Sequence, residues 1–359
     1  MTVASGNGRT YLQLVATMLF WGGTWVAARF AVQEVAPLGV AVWRFFFAAT
    51  SLLVLVRWRY GRLPSLTRHE LLLVLALGGT GIYLYNLFFM FGMQHISAGR
   101  GALVVALNPV ITLLAAAWLL KEGMTAQKAL GSVLAFAGCL TVIGKGDPLA
   151  FLVGKVGAGE TLILGCAVMW SAYTMIGRQA TRSLRPLVMT AYASSAGFIM
   201  LLATALLNNP AQLVPHYSGA AWGAILFLGL LGTTVSFTWF STAVQRIGAS
   251  RASIFINLVP VAAVLQGALL LNERLDPSVL AGGGLVIVGV ILTQRATTRD
   301  SYARSFAAGP PQGEAARGEA ANRTQPQQAR PVTDERSEVP SPPSMGGGRG
   351  AESIKEAKA

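Results

Sequence analysis

Ten membrane-spanning helices, arranged as two inverted five-helix repeats, are the all-α polytopic architecture expected of this 359-residue chain. Three observations lead there: a shortage of charge, apolar windows of bilayer length, and an internal repeat. Charged residues make up 12% of the sequence and hydrophobic residues 53%, whereas a soluble globular protein carries about 25% charge. Nine Lys/Arg and eight Asp/Glu fall after Arg295, so the chain before it is poorer still. A bilayer core needs about 20 mostly apolar residues per helix, and soluble helices show a polar face that these windows mostly lack.

The spans follow in order. The first, 11–32, has only Arg9 ahead of it and no clean small-residue cleavage site, so it is expected to be an uncleaved anchor. The second, 37–56, opens on Pro37, where a missing N–H costs nothing, and carries one internal charge, Arg44. The third and fourth, 71–93 and 99–120, are separated by the polar turn around Gln94 and His95. The fifth, 127–144, and the sixth, 160–179, flank a charged loop. The seventh, 186–207, opens on Pro186 and ends at Asn208-Asn209-Pro210, which divides it from the eighth, 219–243. The ninth and tenth are 251–271 and 278–295.

The resulting organisation is a short cytoplasmic N-terminus (1–10), a first repeat (11–145), a second repeat (160–295) and a tail (296–359). The tail is rich in Pro, Gly, Gln and mixed charge. It buries too little apolar surface to offset its ordering entropy, so disorder is expected there. With the N-terminus inside, 13 Lys/Arg fall on the inner loops and five on the outer ones, which places both termini in the cytoplasm of a multi-pass cell-membrane protein. The net charge of +13 sits in short loops between apolar spans, so it is read as a membrane pattern and not as a nucleic-acid surface.

The repeat is explicit. NPVITLLAAAWLLKE (108–122) is answered by VPVAAVLQGALLLNE (259–273), with Pro109 matched to Pro260 and Glu122 to Glu273 at a spacing of 151 residues. The same offset pairs Gly81 with Gly232, Gln94 with Gln245, Arg100 with Arg251, Gly131 with Gly282 and Gly138 with Gly289. Nearer the N-terminus an offset of 149 pairs Trp21 with Trp170 and Pro37 with Pro186. Five spans per repeat is an odd number, so the second repeat enters the membrane from the other side. Inverted repeats of this kind are typical of secondary transporters, with the substrate site at the repeat interface near mid-membrane.

The segments WGGTWVAARF (21–30), PLGVAVWRFFFA (37–48), ISAGRGALVVALNPVITLLAAAWLLKE (96–122) and IGASRASIFINLVPVAAVLQGALLLNERL (247–275) resemble the ten-helix EamA branch of the drug/metabolite transporter superfamily over residues 10–295. The resemblance implies a central cavity, alternating access, and a fifth and tenth helix packed to one side. It also implies a small-metabolite substrate, an exported amino acid or similar neutral or anionic solute, with a drug, sugar or nucleotide-sugar permease as the alternative.

Several residues are candidates for the cavity. Trp21, Thr24 and Trp25 in span one match Trp170, Tyr173 and Thr174 in span six. Aromatic walls with a few hydroxyls suit a small amphiphile, and the two tryptophans lie too deep for an interfacial belt. Tyr83, Tyr85 and Asn86 in span three and Thr234, Ser236 and Trp239 in span eight are further candidates, with helix–helix hydrogen bonding as their other reading. Pro109 and Pro260 free the carbonyls of Val105 and Ile256. Asn108 and Asn257, within a turn of them, are available as donors. The kinks are read either as hinges lining the cavity or as ordinary packing. Arg44, an intramembrane charge, is a functional candidate by default; it meets a substrate carboxylate or snorkels to the surface. No carboxylate lies at mid-span, which disfavours cationic substrates and leaves the driving force open. The glycines of spans five and ten are read first as scaffold packing and second as the face of a homodimer.

Enzyme motifs are lacking: there is no H-E-x-x-H, no G-x-S-x-G and no P-loop. Cys139 and Cys166 are expected to be packing residues, and the three histidines lack ligand spacing, so no metal and no cofactor are expected. A receptor or scaffold is the non-transport alternative. It would call for a folded extramembrane domain, and the loops are short. The expected partners are therefore a small-molecule substrate and the lipid bilayer.

Overall fold

The computed structural model describes residues 7–119, 121, 123–147, 157–214, 216–274 and 276–307. Glu122, Lys155 and the tail beyond Ala307 lie outside the described residues. Among the described residues, ten helices are long and apolar enough to cross a membrane. We number them α1 (Asn7–Glu34), α2 (Pro37–Tyr60), α3 (Arg68–Met93), α4 (Ala98–Val105 and Asn108–Leu119), α5 (Ala126–Ile143), α6 (Ala158–Ala180), α7 (Pro186–Asn208), α8 (Gly219–Ile247), α9 (Ala249–Ile256 and Leu258–Leu271) and α10 (Pro277–Ala307).

Local chemistry fixes the helix ends. Pro37 and Pro186 occupy first-turn positions of α2 and α7. Thr67 and Glu70 form a reciprocal capping box at α3. Thr125 caps α5 and Ser218 caps α8, and Ser218 is held in turn by Glu34 at the end of α1. Gly61 closes α2 with φ 71°, a left-handed conformation that glycine adopts without a Cβ penalty.

Both proline sites break their helices. The first piece of α4 ends at Val105 and the first piece of α9 ends at Ile256, the residues four before Pro109 and Pro260, which have no N–H to donate to them. After the α4 break the chain restarts through Leu107, whose carbonyl accepts from the N–H groups of Val110 and Ile111 at 2.9 and 3.0 Å.

A second paired irregularity has no counterpart among the sequence expectations. α3 and α8 each carry a π-helical stretch, Gly78–Leu84 and Phe227–Val235, at matching places in the two repeats. Glycines there bring backbone against backbone. A carbon added at Gly78 would lie 2.9 Å from the Ala193 carbonyl on α7, and one added at Gly229 would lie 2.7 Å from the Arg44 carbonyl on α2. Gly78 and Gly229 are 151 residues apart, and Arg44 and Ala193 are 149 apart, so these are one contact made twice across the seam.

The same exchange relates α5 and α10. Gly131 faces Gly289, and Gly138 faces Gly282, close enough that an added carbon would come within 2.5–2.7 Å of the opposing glycine carbonyls. The numbering rises on one helix as it falls on the other, so the pair is antiparallel. These four glycines are thus occupied within the chain, as the packing reading expects. α2 runs along α7, α1 packs on α8 and α9, and α6 packs on α3 and α4. Every described helix of one repeat therefore touches the other, and the two halves form an inverted pair. α10 runs on through 296–307, beyond the apolar span. Composition marks where the membrane-length segment stops; helix already formed propagates at little cost past that point.

Candidate functional site between the repeats

A continuous row of aromatic rings crosses the seam. Trp25 on α1 meets Phe89 on α3 edge to face at 4.8 Å between centroids. Phe89 stacks with Tyr85 at 5.9 Å, and Tyr85 meets Trp170 on α6 at 5.6 Å. Trp170 lies 5.2 Å from Tyr173 and 6.5 Å from Phe237 on α8. Phe237 then lies 5.6 Å from Trp21, which also meets Phe240 at 5.3 Å. The equivalent tryptophans Trp21 and Trp170 thus share Phe237 between them. Tyr85, Trp170, Phe237 and Trp21 stay partly accessible, while Phe89 and Trp25 behind them are buried. Large rings half accessible at a helix seam can line a small chamber.

Polar groups flank the row. Trp21 donates through Nε1 to the Gly232 carbonyl at 3.1 Å. Thr24 and Thr174 donate to backbone carbonyls of their own helices, those of Trp21 and Trp170, so neither hydroxyl proton is offered to the chamber. Thr24 also packs on Gly232, and Tyr173 packs its ring on Gly81. Ser171 links to Thr112 at 3.1 Å and reaches the Asn108 carbonyl at 3.4 Å, tying α6 to the α4 break. The Asn108 side-chain oxygen is buried with no partner.

Arg44 is 9% exposed and donates from Nη1 to Asn86 Oδ1 at 3.0 Å. It does not snorkel. Its guanidinium lies over the rings of Phe45 and Phe89 at 5.1 and 5.9 Å, which places it at one end of the aromatic row.

The remaining candidates stand apart from this group. Tyr83 pairs with Thr204 on α7 at 3.0 Å, the helix–helix role foreseen as its other reading. Trp239 packs on Phe20 at 6.1 Å. Asn257 donates to Gln294 on α10 at 3.1 Å, which corrects the expectation that it serves the carbonyl freed by Pro260. Pro260 is buried and Pro109 is half-buried.

One end of the seam is latched by Arg100, Glu160 and Glu273. Arg100 on α4 forms an ion pair with Glu160 on α6 at 3.2 Å and donates to the carbonyls of Val142 and Ile143. Glu273, after α9, accepts from the N–H groups of Ala98 and Gly99 at 2.7 and 3.2 Å, an N-terminal cap for α4 supplied by the other repeat. A cleft of about 640 Å³ lies over this end, lined by His95, Arg100, Lys145 and Glu160 among others. The signal for the latch was present in the matched Arg100/Arg251 and Glu122/Glu273 pairs, but which carboxylate meets which partner depends on tertiary packing. Phe237 and Phe89 were missed because a phenylalanine in an apolar span carries no polar signature. Cys139 and Cys166 are buried, and no cluster of metal-binding side chains occurs among the described residues.

Comparison with known proteins agrees with this architecture. The model of the EamA-like transporter family matches residues 8–144 and 157–295, one match on each repeat. The uncharacterized transporter YyaM of Bacillus subtilis (strain 168) is 30% identical over 281 residues, covering 78% of this chain and 92% of the relative. A probable terminal-alkyne amino-acid exporter of Streptantibioticus cattleyicolor is 27% identical, covering 79% of this chain and 93% of that protein. A crystal structure at 18% identity superposes with a TM-score of 0.57 over 80% of this chain and 98% of the other, which shows the shared fold. With the family model matching each half of the inverted pair, the chain belongs to the EamA-like transporter family and is a multi-pass membrane transporter.

Proposed function

We propose that the protein exports a small amphiphilic metabolite, an amino acid or a similar neutral or anionic solute, by alternating access of the chamber between its repeats. The observation that carries this reading is the shared ring: Phe237 lies between the equivalent Trp21 and Trp170, so both halves contribute to one aromatic surface at the seam. The breaks at Val105 and Ile256 give α4 and α9 a place to bend. The amino-acid exporter among the relatives supports the substrate class. On this reading the membrane is the cell membrane and both termini are cytoplasmic, as the Lys/Arg distribution favours.

The test is flux. The purified full-length protein is reconstituted into liposomes, and uptake and counterflow of labelled amino acids, sugars and cationic drugs are compared with protein-free vesicles. Amino acids are expected to cross faster in a Trp170-dependent manner, with Trp170→Ala lowering the rate at least tenfold while the protein stays folded. If every solute crosses at the control rate, the reading fails.

A further inference from the structure

We propose that Arg44 is the anchor for a carboxylate on the substrate, whose apolar body lies along Tyr85 and Trp170. This rests on the transporter reading and specifies its substrate. Arg44 is buried within a membrane-spanning helix, yet among the described residues no carboxylate lies within ion-pair distance of it. A guanidinium has five N–H donors. Here Nη1 meets the neutral oxygen of Asn86, and Nε is buried without a partner.

Asn86 is itself 1% exposed and fixed, because its amide nitrogen donates to the Ile82 carbonyl at 2.7 Å. The guanidinium is thus held in place and left short of acceptors. An isolated charge buried in a membrane protein is costly, and such charges are normally paired.

Packing does not require this charge. The equivalent position in the other repeat is Ala193, and the two backbones make the same contact, Gly229 on Arg44 and Gly78 on Ala193. What Arg44 adds over alanine is a cation over Phe89, at one end of the aromatic row. A carboxylate supplies the missing opposite charge and accepts two parallel N–H bonds from a guanidinium. Tyr85 and Trp170, the partly accessible rings beside Phe89, then accept an aliphatic or aromatic body.

The experiment is equilibrium binding to the full-length protein in nanodiscs by calorimetry. The probes are two matched pairs, phenylacetate with phenylacetamide and L-phenylalanine with L-phenylalaninamide, plus inorganic phosphate. In the unmodified protein the acids are expected to bind about 10- to 100-fold more tightly than the amides, the range of a charge-assisted hydrogen bond. Arg44→Gln should abolish that preference and leave amide binding unchanged; Arg44→Lys should retain part of it. A structural role alone would not move the acid-to-amide ratio. Should Arg44→Gln not fold, Arg44→Lys carries the test: the acid-to-amide ratio should fall below that of the unmodified protein, and an unchanged ratio would overturn the anchor.

Equal binding of acids and amides, no binding of either acid, or a preference that survives Arg44→Gln would each overturn the anchor, as would binding of phosphate alone. Acid flux that Arg44→Gln leaves intact would sink the anchor and spare the transporter. Acid binding without flux of any probe would do the reverse.

Discussion

Gly81 of α3 presses on the ring of Tyr173 of α6 so closely that an added Cβ would lie 2.1 Å from its Cδ2. Gly232 stands in the same relation to Thr24, at 2.5 Å from its methyl carbon, 151 and 149 residues away in sequence. Each contact joins a π-helical segment of one repeat to the first helix of the other. At both places the seam relies on a glycine for close approach. Gly81→Ala is expected to force the Tyr173 ring aside and to destabilise the fold by about 1–3 kcal/mol, the usual range for overpacking. Thermal unfolding in detergent measures it. Gly79→Ala is the control, since only the Met200 sulfur lies near, at 3.9 Å, and it should unfold as the unmodified protein does.

The inversion of the repeats gives a topological prediction. The loop after α2 and the loop after α7 occupy equivalent places, and inversion puts them on opposite membrane faces. Single cysteines at Arg62 and Asn209, in a chain with Cys139 and Cys166 replaced, should react with a membrane-impermeant maleimide from opposite sides. With both termini in the cytoplasm, Asn209→Cys labels in intact cells and Arg62→Cys labels only after lysis. Labelling of both from one side would refute the inverted arrangement.

How much of this was legible beforehand depends on what kind of interaction carried it. The ten spans, the offset of 151 and the breaks at Val105 and Ile256 follow from composition and proline chemistry, which are local. Trp21, Trp170 and Arg44 were legible because a deep tryptophan or a buried charge is unusual in an apolar span. The π-helical stretches were not, because they arise where Gly78 and Gly229 dock on another helix, and a glycine in a transmembrane segment reads the same wherever it packs. Phe237 was invisible for a related reason: its importance lies in which two rings it separates. Asn257 was misassigned because its nearest neighbour in sequence was a freed carbonyl, while its partner Gln294 is on another helix.

The Arg100–Glu160 latch predicts a charge-swap rescue. The pair is mostly buried, with side chains 14% and 10% exposed, and Arg100 also holds two carbonyls of α5. Removing one partner leaves a charge poorly compensated, so Glu160→Gln should cost about 1–3 kcal/mol. It should also raise the reactivity of a cysteine at Gly157, beside the cleft. Arg100→Glu alone should be worse, since it sets two carboxylates together. Combining it with Glu160→Arg should recover part of the stability and lower the cysteine reactivity again. No recovery in the double variant would mean that the carbonyl contacts, and not the ion pair, hold this end.

Glu273 makes a narrower prediction, because it contacts backbone and not a cation. Its two oxygens accept from Ala98 and Gly99, the first N–H groups of α4. Loss of such a cap costs about 1 kcal/mol, with part of the effect due to the helix dipole. Glu273→Ala should therefore lower the melting temperature measurably, and Glu273→Gln, which keeps an acceptor and loses the charge, should fall between. Equal melting temperatures for all three proteins would show that the contact adds nothing to stability.

The proline breaks separate stability from movement. Pro109→Ala restores an N–H that can reach the Val105 carbonyl, and Pro260→Ala does the same for Ile256, so each variant can close its helix. Closing a helix in an apolar setting satisfies an otherwise unpaired carbonyl, so neither variant is expected to melt lower than the unmodified protein. If the breaks are where α4 and α9 bend during the transport cycle, the closed helices resist bending and the turnover slows. The two measurements are then expected to diverge: melting temperature held or raised, and flux in proteoliposomes reduced several-fold for the same protein. A variant that keeps full flux would reduce the prolines to packing elements. One that loses flux and stability together would show only that the fold had been damaged, so the hinge role requires the divergence itself.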